Sequence, residues 1–139
     1  MIVLDTSSVI ALMLDEPGAD ALGHRLAMEP LGERFMSVAS YVEAGSVMAF
    51  RAETPHLGVR DLDDFVQNFG IQLAPVDSGQ AAIAIDARIR FGRGFKTSAK
   101  LNFGDTFAYA LAKSLSAPLL FVGDDFTHTD ITSALPATL

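Results

Sequence analysis

Apolar positions along this chain fall into two alternating patterns, and their alternation predicts the fold class. Ile2-Val3-Leu4 is an unbroken apolar run, which suits a strand buried on both faces of a parallel sheet. Residues 34–38, 71–76 and 119–122 read as three further strands, with Pro75 marking 71–76 as a strand end or an edge. Between these runs the apolar residues recur at helical spacing. The first helix spans residues 9–14, with Thr6, Ser7 and Ser8 offering N-cap hydroxyls. The second spans 19–28, carries Leu22 and Leu26, and ends at Pro30 and Gly32. A third begins at Ser40 and runs toward Phe50. A fourth places Val59, Leu62, Phe65, Val66 and Phe69 on one face and stops at Gly70. Asp77 or Ser78 caps a fifth through Ile89, and Asn102 caps a sixth over 103–115. Residues 90–100 lack periodicity and read as a loop, and the tail from Phe126 onward is polar with no clear element.

That order of elements predicts an α/β fold: one domain over residues 1–139, with a central, mostly parallel sheet flanked by helices. Half the residues are apolar, enough for a globular core without disulfides. No apolar run approaches the roughly 18–20 residues of a membrane span. The chain opens directly on a strand, without a basic or cleavable leader, so the expectation is a cytoplasmic protein. Zero cysteines excludes thiolate zinc sites and cysteine nucleophiles. The formal net charge of -7 argues against broad attraction to nucleic acid or anionic membrane. A polyanion would have to be held by a local basic patch and bound divalent cations.

The acidic residues give the charge a location. Asp5 ends the first strand, Glu43 lies in the first turn of the third helix, Asp105 opens the sixth, and Asp124-Asp125 ends the fourth strand. In a parallel sheet these points converge on one edge, where ligands bind. Each has a structural reading as well. Asp5 suits an Asx-turn, Ser40-x-x-Glu43 matches a capping box, and Asp124-Asp125 suits a turn after Gly123. Asp105 is harder to assign structurally, because the helix behind it is apolar almost all round and therefore buried. Converging carboxylates repel unless a cation neutralises them, and an all-oxygen set suits Mg²⁺ or Mn²⁺ over zinc. Such a centre suits phosphodiester cleavage. Thr6 and Ser7 either orient this centre or simply cap the first helix. Arg88, Arg90, Arg93, Lys96 and Lys100 cluster just before Asp105, with Phe91 and Phe95 between them. They form either a grip for RNA phosphates and an unpaired base, or a solvated loop over two buried rings. His24, His56 and His128 stand singly and read as surface residues.

Ile2-Val3-Leu4-Asp5-Thr6-Ser7, Glu43, Leu101-Asn102-Phe103-Gly104-Asp105 and residues 119–126 together resemble PIN-domain ribonucleases, most closely the VapC-type toxins of bacterial toxin–antitoxin pairs. The resemblance covers essentially the whole chain. It implies a Mg²⁺-dependent endoribonuclease (Mn²⁺ substituting), dimerisation, and inhibition by a VapB-type antitoxin. The Val, Leu and Phe residues of the paired helices over 40–70 lead to the expectation of an apolar groove for an antitoxin helix. Residue by residue it makes Asp5 and Asp105 the principal metal ligands and Glu43 the third acid. The family's fourth acid falls where this chain has Gly123, so Asp124 or Asp125 supplies it, with Asp124 preferred. A phosphoacceptor receiver domain would need an acidic pair after the first strand and a Lys after the last, both missing here. A haloacid-dehalogenase-like phosphatase would need a second Asp at the position of Ser7. A catalytically dead PIN-like binding module is the remaining alternative.

Overall fold

The computed structural model describes residues 1–136. Four parallel strands, β1 (Ile2–Leu4), β2 (Arg34–Ser37), β3 (Gln72–Ala74) and β4 (Leu119–Leu120), form one sheet in the order β3-β2-β1-β4. In register, Val3 pairs with Phe35 on one side and Leu119 on the other. Six helices connect them: α1 (Thr6–Met13), α2 (Ala19–Ala27), α3 (Val38–Arg51), α4 (Pro55–Asn68), α5 (Ser78–Phe91) and α6 (Asp105–Leu115).

Strand pleating divides the core into two layers, because successive side chains point to opposite faces. Ile2, Leu4, Met36 and Leu120 pack with Val9, Leu22, Leu26, Ala44, Met48 and Leu62 from α1–α4. Val3 and Leu119 pack on the other face with Ala87, Ala108, Tyr109, Leu111 and Ala112 from α5 and α6. Every residue of β1 and β4 is fully enclosed, which explains why these strands read as unbroken apolar runs. β3 lies at the edge, and Pro75 follows its last residue.

Several boundaries differ from the sequence expectation. Asp5, rather than Thr6, Ser7 or Ser8, caps α1, accepting from the Ser7 amide. Strand β2 runs straight into α3, whose cap is Ser37, so Ser40 lies inside the helix and Ser40-x-x-Glu43 is not a capping box. Pro55 occupies the first turn of α4, where its missing N–H has no intrahelical partner to lose, and the helix starts four residues early. α5, capped by Asp77, continues through Arg90 to Phe91. The tail is better organised than its polarity implied. Phe126 is buried, the Leu119 amide donates to Thr132 O, and the Ala134 amide donates to Leu119 O, so the tail pairs with the outer edge of β4.

Candidate active site

The chain builds β1, β2 and β3 outward in one direction and then returns to place β4 on the other side of β1. The crevice between the carboxyl ends of β1 and β4 is therefore the topological switch point, the place where open parallel sheets hold their ligands. Asp5 stands at its centre and is 4% exposed. Its Oδ2 accepts from the Ser7 amide (3.1 Å) and from Ser7 Oγ (2.6 Å). Ser7 Oγ in turn accepts from the Val122 amide at 3.0 Å, which fixes the end of β4 against the β1 turn. Thr6 Oγ1 donates to Ser40 O (3.0 Å) and so ties the start of α1 to α3, one turn before Glu43.

Asp105 is 7% exposed and is held by a reciprocal pair of hydrogen bonds. Its amide donates to Asn102 Oδ1 (2.9 Å), while its Oδ2 accepts from the Asn102 amide (3.0 Å). This is the logic of a capping box with Asn and Asp as partners. Glu43 reaches the same place from α3. Its carboxylate lies directly against Gly104, where a Cβ would overlap Oε2 and stand 3.0 Å from Cδ. Gly104 has ordinary right-handed helical angles, so the absence of a side chain here serves the neighbour and not the backbone.

The electrostatics agree with that convergence. Burial pushes Asp5 up to about 6, the charge of Glu43 adds to this, and the Ser7 hydrogen bonds work against it. Burial pushes Asp105 up to about 7; the Asn102 amide opposes the rise, while the charges of Asp5, Asp125 and Glu43 reinforce it. Asp125 is half-buried and Asp124 exposed, so Asp125 is the member of the pair whose charge reaches the centre. Among the described residues no three acidic or histidine side chains form a ready-made cage.

The basic cluster divides. Arg88 Nη1 donates to Leu101 O (2.7 Å) and more weakly to Arg93 O, so Arg88 braces the loop from inside. Arg90 is not in the loop. It sits in α5, stacks over Phe91 and pairs with Asp86 (3.2 Å) and Asp130 (3.5 Å). Arg93, Lys96 and Lys100 are exposed, with no ion pair among the described residues. His24, His56 and His128 are exposed singly. Gly104 stands in the Asn102-Phe103-Gly104-Asp105 segment that carries the family resemblance, but its role as the seat of the Glu43 carboxylate has no local signal in the sequence.

The PIN domain family matches residues 2–131. Ribonuclease VapC42 of Mycobacterium tuberculosis is 42% identical over 132 residues, covering 95% of this chain and 98% of that protein. Ribonuclease VapC of Mycolicibacterium smegmatis is 43% identical over 129 residues, covering 93% and 96%. Among solved structures, M. tuberculosis VapC20, described as a sarcin-ricin loop cleaving toxin, aligns with a TM-score of 0.76 at 15% identity, covering 98% of this chain and all of that one. The VapBC-1 structure from nontypeable Haemophilus influenzae aligns at 0.72 and 20% identity, covering 96% of each chain. Those two likenesses speak to fold, and the mycobacterial sequences to kinship. The chain belongs to the PIN-domain family, among its VapC ribonucleases.

Proposed function

We propose that this protein is the toxin of a type II toxin–antitoxin pair and cuts RNA as a Mg²⁺-dependent endonuclease, with Mn²⁺ able to substitute. The observation that carries the reading is the meeting of Asp5, Glu43 and Asp105 at the β1/β4 switch point, with both aspartates pushed toward neutral pH. Buried acids so raised are poised to exchange protons for a cation, the all-oxygen set matching a hard ion. A bound cation would supply activation of a water and charge stabilisation at the leaving oxygen of the phosphodiester.

The chain supplies the rest. Asp5 and Asp105 would hold the ion. Ser7 fixes the orientation of Asp5, and Asn102 fixes that of Asp105. Glu43, seated against Gly104, accepts a proton from the attacking water. Asp125 supplies the fourth acid, in place of the Asp124 preferred from the sequence. Arg93, Lys96 and Lys100 meet the RNA backbone, while Arg88 holds their loop.

A VapB-type antitoxin is the proposed partner, alongside homodimerisation. Solved neighbours include the VapBC-1 structure and a toxin–antitoxin complex from Klebsiella pneumoniae. A cavity of about 510 Å³ lies between α1, α3 and α4, with Leu12, Met13, Met48, Phe65 and Phe69 in its wall and Asp61, Asp64 and Asn68 beside them. An apolar floor with acids alongside suits an amphipathic helix that carries basic residues at its edge.

The test follows cleavage of single-stranded RNA by antitoxin-free protein while Mg²⁺ or Mn²⁺ is titrated. Cutting is expected to rise with the metal and to stop in EDTA. Cutting at full rate in EDTA would contradict the reading.

A further inference from the structure

Phe103 is 71% exposed, an unusual setting for a phenylalanine two residues before a buried acid. Its ring meets Phe107 edge-on with centroids 5.0 Å apart, and its carbonyl accepts from Thr106 Oγ1 at 2.7 Å, so its backbone is fixed in the first turn before α6. The slot between α5 and α6 beside it, about 180 Å³, is walled by Ala84, Ile85, Arg88, Phe103 and Phe107. Nothing in the core requires this ring, since it belongs to neither apolar cluster.

The basic loop is anchored at the same spot. The Arg93 amide donates to Leu101 O (2.9 Å), and the Leu101 amide donates to Phe91 O (3.0 Å), closing the neck of the loop. Arg93 therefore lies beside Leu101, with Lys100 next to it in the chain and Phe103 two positions on. In a chain of net charge -7, these bonds bring the backbone of two exposed cations to the segment that carries an exposed ring just before Asp105. Sequence-tolerant binding of single strands uses that pairing, an aromatic face for the base and cations for its phosphates.

We propose that Phe103 is the stacking platform for one unpaired base of single-stranded RNA next to the scissile phosphate, with Arg93 and Lys100 holding the adjoining backbone. The proposal rests on the nuclease reading above and adds a position-determining residue to it. Stacking exists equally before and during cleavage, so it acts on KM and not on kcat.

The experiment uses single-stranded oligoribonucleotides carrying 2-aminopurine at successive positions around the site that the parent protein cuts. Binding is read with Asp105→Asn protein, so that the RNA stays intact, and cleavage is read with an active Asp105. Fluorescence is expected to be quenched at one position only and restored when Phe103→Ala is added. Phe103→Ala should raise KM about tenfold with kcat and melting temperature unchanged. Phe103→Tyr, which keeps the ring, should recover most of that loss. Arg93→Ala and Lys100→Ala should each flatten the salt dependence by about 0.7 in log–log slope. A parent that cuts RNA while Phe103→Ala keeps its KM and its quenching overturns the proposal and leaves the nuclease reading standing. A fall in molar mass on Phe103→Ala, seen by light scattering, overturns it too, because the ring then belongs to an interface between two copies. A parent that cuts no RNA removes the nuclease reading and this proposal with it.

Discussion

At the scale of single residues, the site depends on one side chain that is absent. Glu43 occupies the space a Cβ at position 104 would take, so Gly104→Ala forces the carboxylate aside. The backbone angles there are ones that alanine adopts, but position 104 is the N-cap of α6, where alanine has no helix-interior advantage over glycine. Gly104→Ala is therefore expected to melt at or slightly below the parent while losing kcat/KM on the order of 100-fold, the scale of a misplaced catalytic group. The loss should vanish in a Glu43→Ala background, because residue 104 acts through Glu43, and a double-mutant cycle reads this directly. Additive effects would contradict it. Asp5 and Asp105 were legible in the sequence because each follows or precedes an apolar run whose burial is itself legible. Glu43 was legible with the wrong structural alternative: the cap is Ser37, three residues before Ser40, because β2 runs into α3 without a turn. Gly104 was not, since its role lies in a contact 61 positions away in the chain, between residues 43 and 104.

At the scale of elements, α3 and α4 form a tightly packed pair, and Gly58 sets how closely they approach. A Cβ on Gly58 would collide with the Met48 carbonyl, standing 2.7 Å from its carbon, and backbone cannot move aside as a side-chain tip can. Gly58→Ala should destabilise the fold by about 1–3 kcal/mol, as overpacking does, measured by urea unfolding. An unchanged midpoint would mean that the two helices slide apart freely. The helices themselves were readable from apolar spacing, but their ends were not. α5 runs past its expected end to Phe91, and there Arg90 pairs with Asp86 one turn back and with Asp130 in the tail, the second a partner that no local pattern displays. The tail was unreadable for the same reason. Asp130 gathers Tyr109 Oη (2.6 Å), Lys113 Nζ (3.2 Å) and Arg90, and the backbone beyond it pairs with β4.

For the whole molecule, the acidic centre couples stability to pH and to the cation. Asp5 at about 6 and Asp105 at about 7 bind protons more readily in the folded chain than in the unfolded one. The folded state therefore gains from protonation at low pH and loses that gain as pH rises from about 4 through 7. In EDTA the melting temperature should fall between pH 5.5 and pH 8. Asp5→Asn, which keeps the cap and removes the buried charge, should melt higher than the parent at pH 8 and show a shallower slope. A parent that melts higher at pH 8 than at pH 5.5 would contradict the repulsion argument. The sheet order that creates this centre was only partly legible: alternation predicts a parallel sheet, whereas the return of β4 to the far side of β1 is a property of the packed chain. The proposed function gives the cutting to the two aspartates flanking the switch point. Single-turnover RNA cleavage at saturating Mg²⁺ by the parent and by Asp105→Asn measures this. Asp105→Asn is expected to be folded and at least about 1,000-fold slower, in the range that loss of a charge-stabilising group produces. A folded Asp105→Asn protein that cuts at close to the parent rate would contradict the account.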